Sequence, residues 1–285
     1  MLFPPEVWNE ICSYLLGIEL LSLWMIVDSA LRQRLEYGIS RLALGGSIHR
    51  IPVLVAVSCP FIKLFRNVKI LSCETNVKIG ELLANFPRLV SLTTSENWSG
   101  ICDFAPPTLE TLECKDSNWK LDFTPIEKLP RGLTSLKMTT TFEPPFPFAK
   151  LPRGLQKLDL RCHLARLTDL EDLPPQLEWF HLGSNQILPG TGKAILLPAS
   201  LTHCSLPAAE LSNNTLPLAH LIKLQTYQSA FGVSTIEEAA QLSRGLTALI
   251  APVHPNVYLH LPPKLTELMA YAASHWSSGW NHDVI

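Results

Sequence analysis

The sequence predicts an α/β solenoid. Stacked repeats lay a curved parallel sheet along a concave face, the convex side of the later repeats is mostly non-helical, and a small helical motif precedes them. Three observations carry this reading. One phrase recurs, made of Leu-Pro, two variable residues, Leu, two more, an apolar residue, one more and an apolar residue: LPRGLTSLKM at 129–138, LPRGLQKLDL at 151–160, LPPQLEWFHL at 173–182, LPASLTHCSL at 197–206 and LPPKLTELMA at 261–270. Anchored on Leu109, Leu133, Leu155, Leu177 and Leu201, the successive gaps are 24, 22, 22 and 24 residues. The first 36 residues lack the phrase altogether. A unit this short cannot bury its own apolar face, so it gains a core only by stacking on its neighbours.

Taken in order, residues 1–36 form a helical motif. Pro5 suits a first helical turn, Glu6 in that turn complements the helix dipole, and Ile11, Tyr14 and Leu15 share one face at i, i+3, i+4. The solenoid then runs over 37–270 in about ten repeats. Strand ISRLAL at 39–44 is joined to strand NVKILSC at 67–73 by an apolar convex segment, 48–65, that contains Pro52 and Pro60. KIGELLAN at 78–85 is apolar at helical spacing and predicts a true convex helix before the strand FPRLVSL. Weaker copies place Leu89 and Leu92 after Phe86-Pro87-Arg88, Leu246 and Leu249 after Leu242, and a degenerate one through Pro217, Leu221 and Leu224.

Within each copy the strand alternates, so Leu136 and Met138 point inward while Ser135, Lys137 and Thr139 face the concave side. Proline is tolerated at a strand start, where no donor is needed, and it discourages helix. With 23 prolines, the later convex segments are predicted to be extended or 3₁₀-like. The last stretch, YAASHWSSGWNHDVI at 271–285, leaves the rhythm and carries Trp276 and Trp280. It reads either as a cap over the apolar edge of the last repeat or as a short linear motif for a partner.

The phrase resembles the leucine-rich repeat. The best copy is Leu177, Phe180, Leu182, Asn185 and Ile187, which matches that family's strand, asparagine turn and next apolar residue; Leu89, Leu92, Thr94 and Asn97 form a second match. Elsewhere the asparagine position holds Ser117, Thr141, His163 or Ala209. The proline-rich lead-in is most similar to the short repeats of bacterial Leu-Pro effectors and to the roughly 22-residue repeats of amoebal proteins.

The stretch LFPPEVWNEICSYLLGIELLSLWMIVDSALRQRL resembles the F-box, a helical motif that docks onto a Skp-family adaptor in cullin-RING ubiquitin ligases. Phe3-Pro4 stand for the usual Leu-Pro, followed by Glu6, Val7, Ile11, Tyr14 and Leu15, with Leu20, Leu21, Leu23 and Val27 continuing the pattern. The resemblance implies that these residues bind the adaptor. Gly17-Ile18 replace the customary Asp-Pro, Asp28 stands near the usual Cys-Arg, and the later Trp is missing. The competing readings are a helical cap that shields the first repeat, and a membrane segment at Ile11 to Val27. That segment holds one charged residue, Glu19, is divided by Gly17, and at 17 residues stands at the short edge of the roughly 17–25 needed to span.

Composition narrows the function. The 285 residues are 47% hydrophobic, enough for one well-buried unit plus an appendage. With 23 basic and 25 acidic residues the net charge is -2, which disfavours nucleic acid and anionic lipid as partners. No basic residue precedes the first apolar run, whereas Glu6 and Glu10 do, so a signal peptide fits poorly and the sequons at Asn97 and Asn213 read as chance. Seven widely spaced cysteines without a CxxC pair suggest reduced, buried thiols and a cytoplasmic or nuclear setting.

His163, His181, His203, His220 and His254 fall one per repeat, and stacking could set His181 beside His203 near Asp159 in imitation of a metal or acid-base site. No HExxH, phosphate-binding glycine loop, nucleophile elbow or CxxC accompanies them, so the expectation is a non-catalytic chain with no metal and no cofactor. Binding is the remaining role. The positions expected to face the concave side are Glu113, Lys115, Lys137, Lys157, Asp159, Arg161, Trp179, His181, His203, Gln225, Tyr227, Glu267, Met269 and Tyr271. A basic central patch beside an exposed aromatic suits protein recognition; the competing reading is a solvated sheet face with one stray Trp.

Together these features predict the substrate-recognition subunit of a Skp-cullin-F-box ubiquitin ligase, which contacts a Skp-family adaptor, the cullin complex and an unidentified target protein. The alternative is a free-standing leucine-rich scaffold whose first helices only cap the solenoid.

Overall fold

The computed structural model describes residues 40–44, 66–73, 80–95, 98–115, 124–139, 146–166, 170, 172–188, 196–206, 218–229, 233 and 235–269. The F-box-like segment 1–36, the convex segment 48–65 and the tail 271–285 lie outside the described residues. The chain divides into two units, one comprising 1–142 with 150–160 and the other 143–149 with 161–285.

Parallel strands follow one another in chain order within each unit. In the first, β1 (Arg41–Leu44), β2 (Ile70–Cys73), β3 (Ser91–Thr94), β4 (Thr111–Cys114) and β5 (Ser135–Thr139) pair successively. The boundary falls within β6 (Lys157–Arg166), a strand of ten residues. In the second, β7 (Trp179–Leu188), β8 (His203–Leu206), β9 (Thr226–Ser229), β10 (Ala248–Ile250) and β11 (Glu267–Met269) pair in the same sense.

The recurring phrase explains this geometry. Its Leu is the hinge of a tight turn: the amide N–H of Leu133 donates to the carbonyl of Pro130, Leu155 to Pro152, Leu177 to Pro174, Leu201 to Pro198 and Leu265 to Pro262, at 3.0 to 3.2 Å. Proline therefore stands at the first position of the turn, which only accepts a hydrogen bond, and not at the start of the strand as the sequence suggested. Each anchor Leu from Leu89 to Leu246 is fully buried.

One residue past the anchor, a single carbonyl accepts from two consecutive amides of the next repeat. The Val90 carbonyl takes Glu110 and Thr111, Glu110 takes Thr134 and Ser135, Thr134 takes Gln156 and Lys157, and Glu178 takes Thr202 and His203. Where that residue is Thr, its hydroxyl doubles the tie: Thr134 Oγ1 donates to the Glu110 carbonyl and Thr247 Oγ1 to the Gln225 carbonyl. This hydroxyl ladder was not foreseen, although its signal, Thr134, Thr202, Thr247 and Thr266 at one fixed offset from the anchors, stands in the sequence.

Strands alternate half-exposed and buried residues, so the core is a ladder of inward side chains. Leu71, Leu92, Leu112 and Leu136 lie side by side in register and are all fully buried, as are their second rung Cys73, Thr94, Cys114 and Met138 to within 1%. In the second unit the corresponding rung is Phe180, Cys204, Tyr227 and Leu249, none more than 2% exposed.

Tyr227 corrects a sequence expectation. Two turns follow each other here, with Leu221 N–H donating to Leu218 and Leu224 N–H to Leu221, and the second one sets the strand. Anchoring on Leu221 shifts the frame by three residues, an odd number, and so turns every side chain to the wrong face. Tyr227 is core. Asn185 is a second correction, since it lies inside the long strand β7 and not in a turn.

Convex segments vary. Helix α1 (Gly80–Leu83) forms where helical spacing predicted it, while α2 (Trp98–Phe104), which buries Ile101 and Cys102, was not anticipated. The 3₁₀ segments Thr124–Lys128, Phe148–Lys150 and Pro255–His260 follow the proline-rich expectation. A late helix, α3 (Ile236–Ala240), departs from it because Thr235 and Glu238 form a reciprocal capping box, whose Thr-x-x-Glu spacing the sequence displayed.

Candidate binding faces

Outward residues differ between the units. In the first, Lys137 sits in register beside Glu113 and its ammonium reaches the carboxylate at 3.0 Å. Lys115 and Lys157 are exposed. Asp159 shares the outward phase of Lys157 but is only 7% exposed, so it does not offer the accessible carboxylate that the sequence implied. This face is charged, with one ion pair, Glu113–Lys137, across neighbouring strands.

In the second unit the outward row begins with aromatic rings. Trp179 and His181 stand on the same side of β7 with ring centroids 5.9 Å apart and tilted by 35°. Trp179 pairs in register with His203, and His181 with Ser205, so His181 and His203 are diagonal neighbours and not the side-by-side pair that the sequence suggested. His203 Nδ1 lies 2.8 Å from Thr202 Oγ1, whose hydroxyl donates to the Glu178 carbonyl at 3.0 Å. With that proton committed to Glu178, a neutral His203 donates through Nδ1 and presents Nε2 as an acceptor.

Gly183 follows on the same phase, and a Cβ there would lie 3.2 Å from Arg161 Cγ and 3.3 Å from His181 Nε2. The missing side chain leaves room for the aliphatic stem of Arg161 against β7. The row thus gathers Arg161, Trp179, His181 and His203, all half-buried, into a surface of flat rings and hydrogen-bonding nitrogens. Of the outward residues expected from sequence, Lys137 and Lys157 belong to the first unit and Tyr227 to the core.

Burial pushes the Cys204 thiol up to about 12, and Cys102 rises to about 12 through burial first and the Asp103 carboxylate second, with Lys128 acting in the opposite direction. Both stay protonated and non-nucleophilic near neutrality. Among the described residues no group of three His, Cys, Asp or Glu side chains is placed to hold a metal ion, and no helix is long and apolar enough to cross a membrane.

No protein-family model and no curated protein matches the chain. Among solved structures it is similar to an internalin, inlF, of Listeria monocytogenes, at 17% identity with a TM-score of 0.50 over 86% of this chain. The chain spans 64% of the length of that internalin. It also matches internalin C2 of the same organism at 17% identity and a TM-score of 0.46, covering 71% of this chain and 91% of that one. CroV588, a circular leucine-rich-repeat protein, matches at 16% identity and a TM-score of 0.44, over 72% of this chain and 34% of that one. The repeat geometry and the likeness to inlF give the fold as an α/β leucine-rich-repeat solenoid.

Proposed function

We propose that this chain is the substrate-recognition subunit of a Skp-cullin-F-box ubiquitin ligase. The observation that carries the reading is the order of two features: an F-box-like sequence at 1–36, then leucine-rich repeats directly after it. The repeats have the fold expected of the receptor part, and their outward rows offer Lys137 and Lys157 in one unit and Trp179, His181, His203 and Arg161 in the other for target contact. Trp, Tyr and Arg supply most of the energy at protein interfaces, which favours the second unit's row as the recognition surface.

In this role the chain performs no bond-making. It holds the target near the ubiquitin-loaded enzyme, and the gain is one of effective concentration. The test is capture of a purified Skp-family adaptor by the full chain and by a Leu15→Asp/Leu20→Asp variant. The reading expects stoichiometric binding by the former and none by the latter while both stay folded by circular dichroism. A folded chain that captures no adaptor ends the ligase reading and leaves a leucine-rich interaction scaffold.

A further inference from the structure

Among the described residues nine tight turns, from Phe86–Leu89 to Pro262–Leu265, close on an anchor through an amide-to-carbonyl hydrogen bond, and each has two central residues, eighteen in all. Six of the eighteen are basic, Arg88, Arg131, Arg153, Lys223, Arg244 and Lys264, and none is acidic, in a chain with 23 basic and 25 acidic residues. All six are exposed. An exposed turn needs a polar residue, and Asp is the better turn former, so the fold itself does not select this sign. Nor is it neutralised locally. Lys128, Lys137 and Lys150, on other surfaces, are answered by Asp103, Glu113 and Glu127, whereas among the described residues no carboxylate pairs with the six turn cations, and Arg88 donates to the neutral Asn67 side chain.

The row is densest in the second unit. Lys223, Arg244 and Lys264 stand in the three successive turns that lead into β9, β10 and β11, which pair side by side. Neighbouring strands lie about 4.8 Å apart, so the three cations line up over about 10 Å. The residue after each anchor adds no charge, being Gln225, Thr247 and Thr266. Like charges this close repel one another, and an anion laid across them relieves the repulsion.

We infer that this turn edge binds an acidic segment of a protein partner, laid across the turns so that its carboxylates meet Lys223, Arg244 and Lys264. A single file of cations matches an extended chain, whose like-facing side chains recur about every 6.7 Å, and long Lys and Arg stems take up the difference in spacing. A lipid surface calls for a broad basic face instead. Single-stranded nucleic acid calls for aromatic rings on which bases stack, and none of the eighteen central turn residues is aromatic. The inference stands apart from the ligase reading, because it concerns a different surface from the outward strand row and needs no adaptor.

The test is fluorescence anisotropy of a labelled octaglutamate peptide titrated with the full chain, beside phosphatidylserine–phosphatidylcholine vesicles and a labelled oligouridylate. The peptide should bind, with affinity falling at least tenfold as sodium chloride rises from about 0.05 to about 0.3 M. A Lys223→Gln/Arg244→Gln/Lys264→Gln variant should lose at least tenfold in affinity while melting no lower than the unaltered chain, since the row repels itself. A Lys115→Gln/Lys137→Gln/Lys150→Gln variant, equal in charge but altered on other surfaces, should stay within twofold. Absence of peptide binding, equal losses in the two triple variants, or tighter capture of the vesicles or of oligouridylate overturns the inference.

Discussion

The first unit fills its inner rung with one residue type and the second does not. Leu71, Leu92, Leu112 and Leu136 stack as four equal volumes, whereas Phe180, Cys204 and Tyr227 alternate large, small and large. Both rungs exclude water almost completely, so total volume across neighbouring strands is what the spine conserves. Outward positions carry no such constraint. The first unit places the Glu113–Lys137 pair there and the second places Trp179, His181 and His203. Stability is written on the inward phase, and under the proposed function recognition falls to the outward one.

The sharpest way to break that division is to truncate neighbours of opposite phase. Phe180→Ala should destabilise the second unit by about 3–5 kcal/mol, because Cys204 beside it is too small to fill the void. Trp179→Ala, one residue earlier, should cost about 1 kcal/mol or less, since it removes a half-exposed ring that leaves no buried void. Urea midpoints measure both. If the two variants fall equally, the separation of spine from surface is wrong.

Alkaline pH probes the buried core of both units at once, through a thiol of helix α2 in the first and an inward strand thiol in the second. Cys102 and Cys204 are raised from 9.0 to about 12 in the folded chain, principally by burial. Folding therefore favours the neutral thiols. That stability is fully present below pH 9 and is lost as pH climbs toward 12, because the unfolded chain ionises first. Each pH unit in that window should cost up to ~1.4 kcal/mol per thiol. The midpoint of a Cys102→Ala/Cys204→Ala variant should fall less steeply over the same window, and parallel slopes would refute the burial of these sulfurs.

What sequence revealed follows the same division. Inward leucines such as Leu133, Leu136 and Leu155 were legible because each repeat sets the same packing problem, and repetition exposes the solution. Tyr227 was misassigned because the double turn at Leu218–Leu224 offers two anchors three residues apart, and only hydrogen bonding decides between them. Helix α2 escaped notice because its seven residues, WSGICDF, lack a first-turn acid or a last-turn base. The grouping of Arg161 with His181 depends on an absent side chain at Gly183, which no motif advertises.

Equivalent turns in the two units differ in tolerance. Gly132 and Gly245 both occupy the third turn position, yet an added Cβ would meet the Pro107 carbonyl at 3.6 Å in one case and the Ile222 carbonyl at 2.7 Å in the other. Gly245→Ala should then cost about 1–3 kcal/mol through forced displacement of backbone. Gly132→Ala should be neutral or stabilising by up to ~1 kcal/mol, through lower entropy of the unfolded chain. Thermal melts of the two single variants decide the matter, and a loss at Gly132 equal to that at Gly245 would show that turn spacing is uniform along the chain.

The smallest effect lies on the first unit's outward face. Lys137 is 42% exposed and Glu113 26%, so water and salt screen their attraction. Glu113→Gln should lower stability by no more than ~1 kcal/mol, and the difference from the unaltered chain should shrink as sodium chloride rises from 0.05 to about 1 M, where the Debye length falls to about 3 Å. If target binding uses the second unit's aromatic row, the same substitution leaves affinity unchanged while Trp179→Ala weakens it at least tenfold. An affinity loss at Glu113 instead would move recognition to the charged face and reverse the roles assigned to the two units.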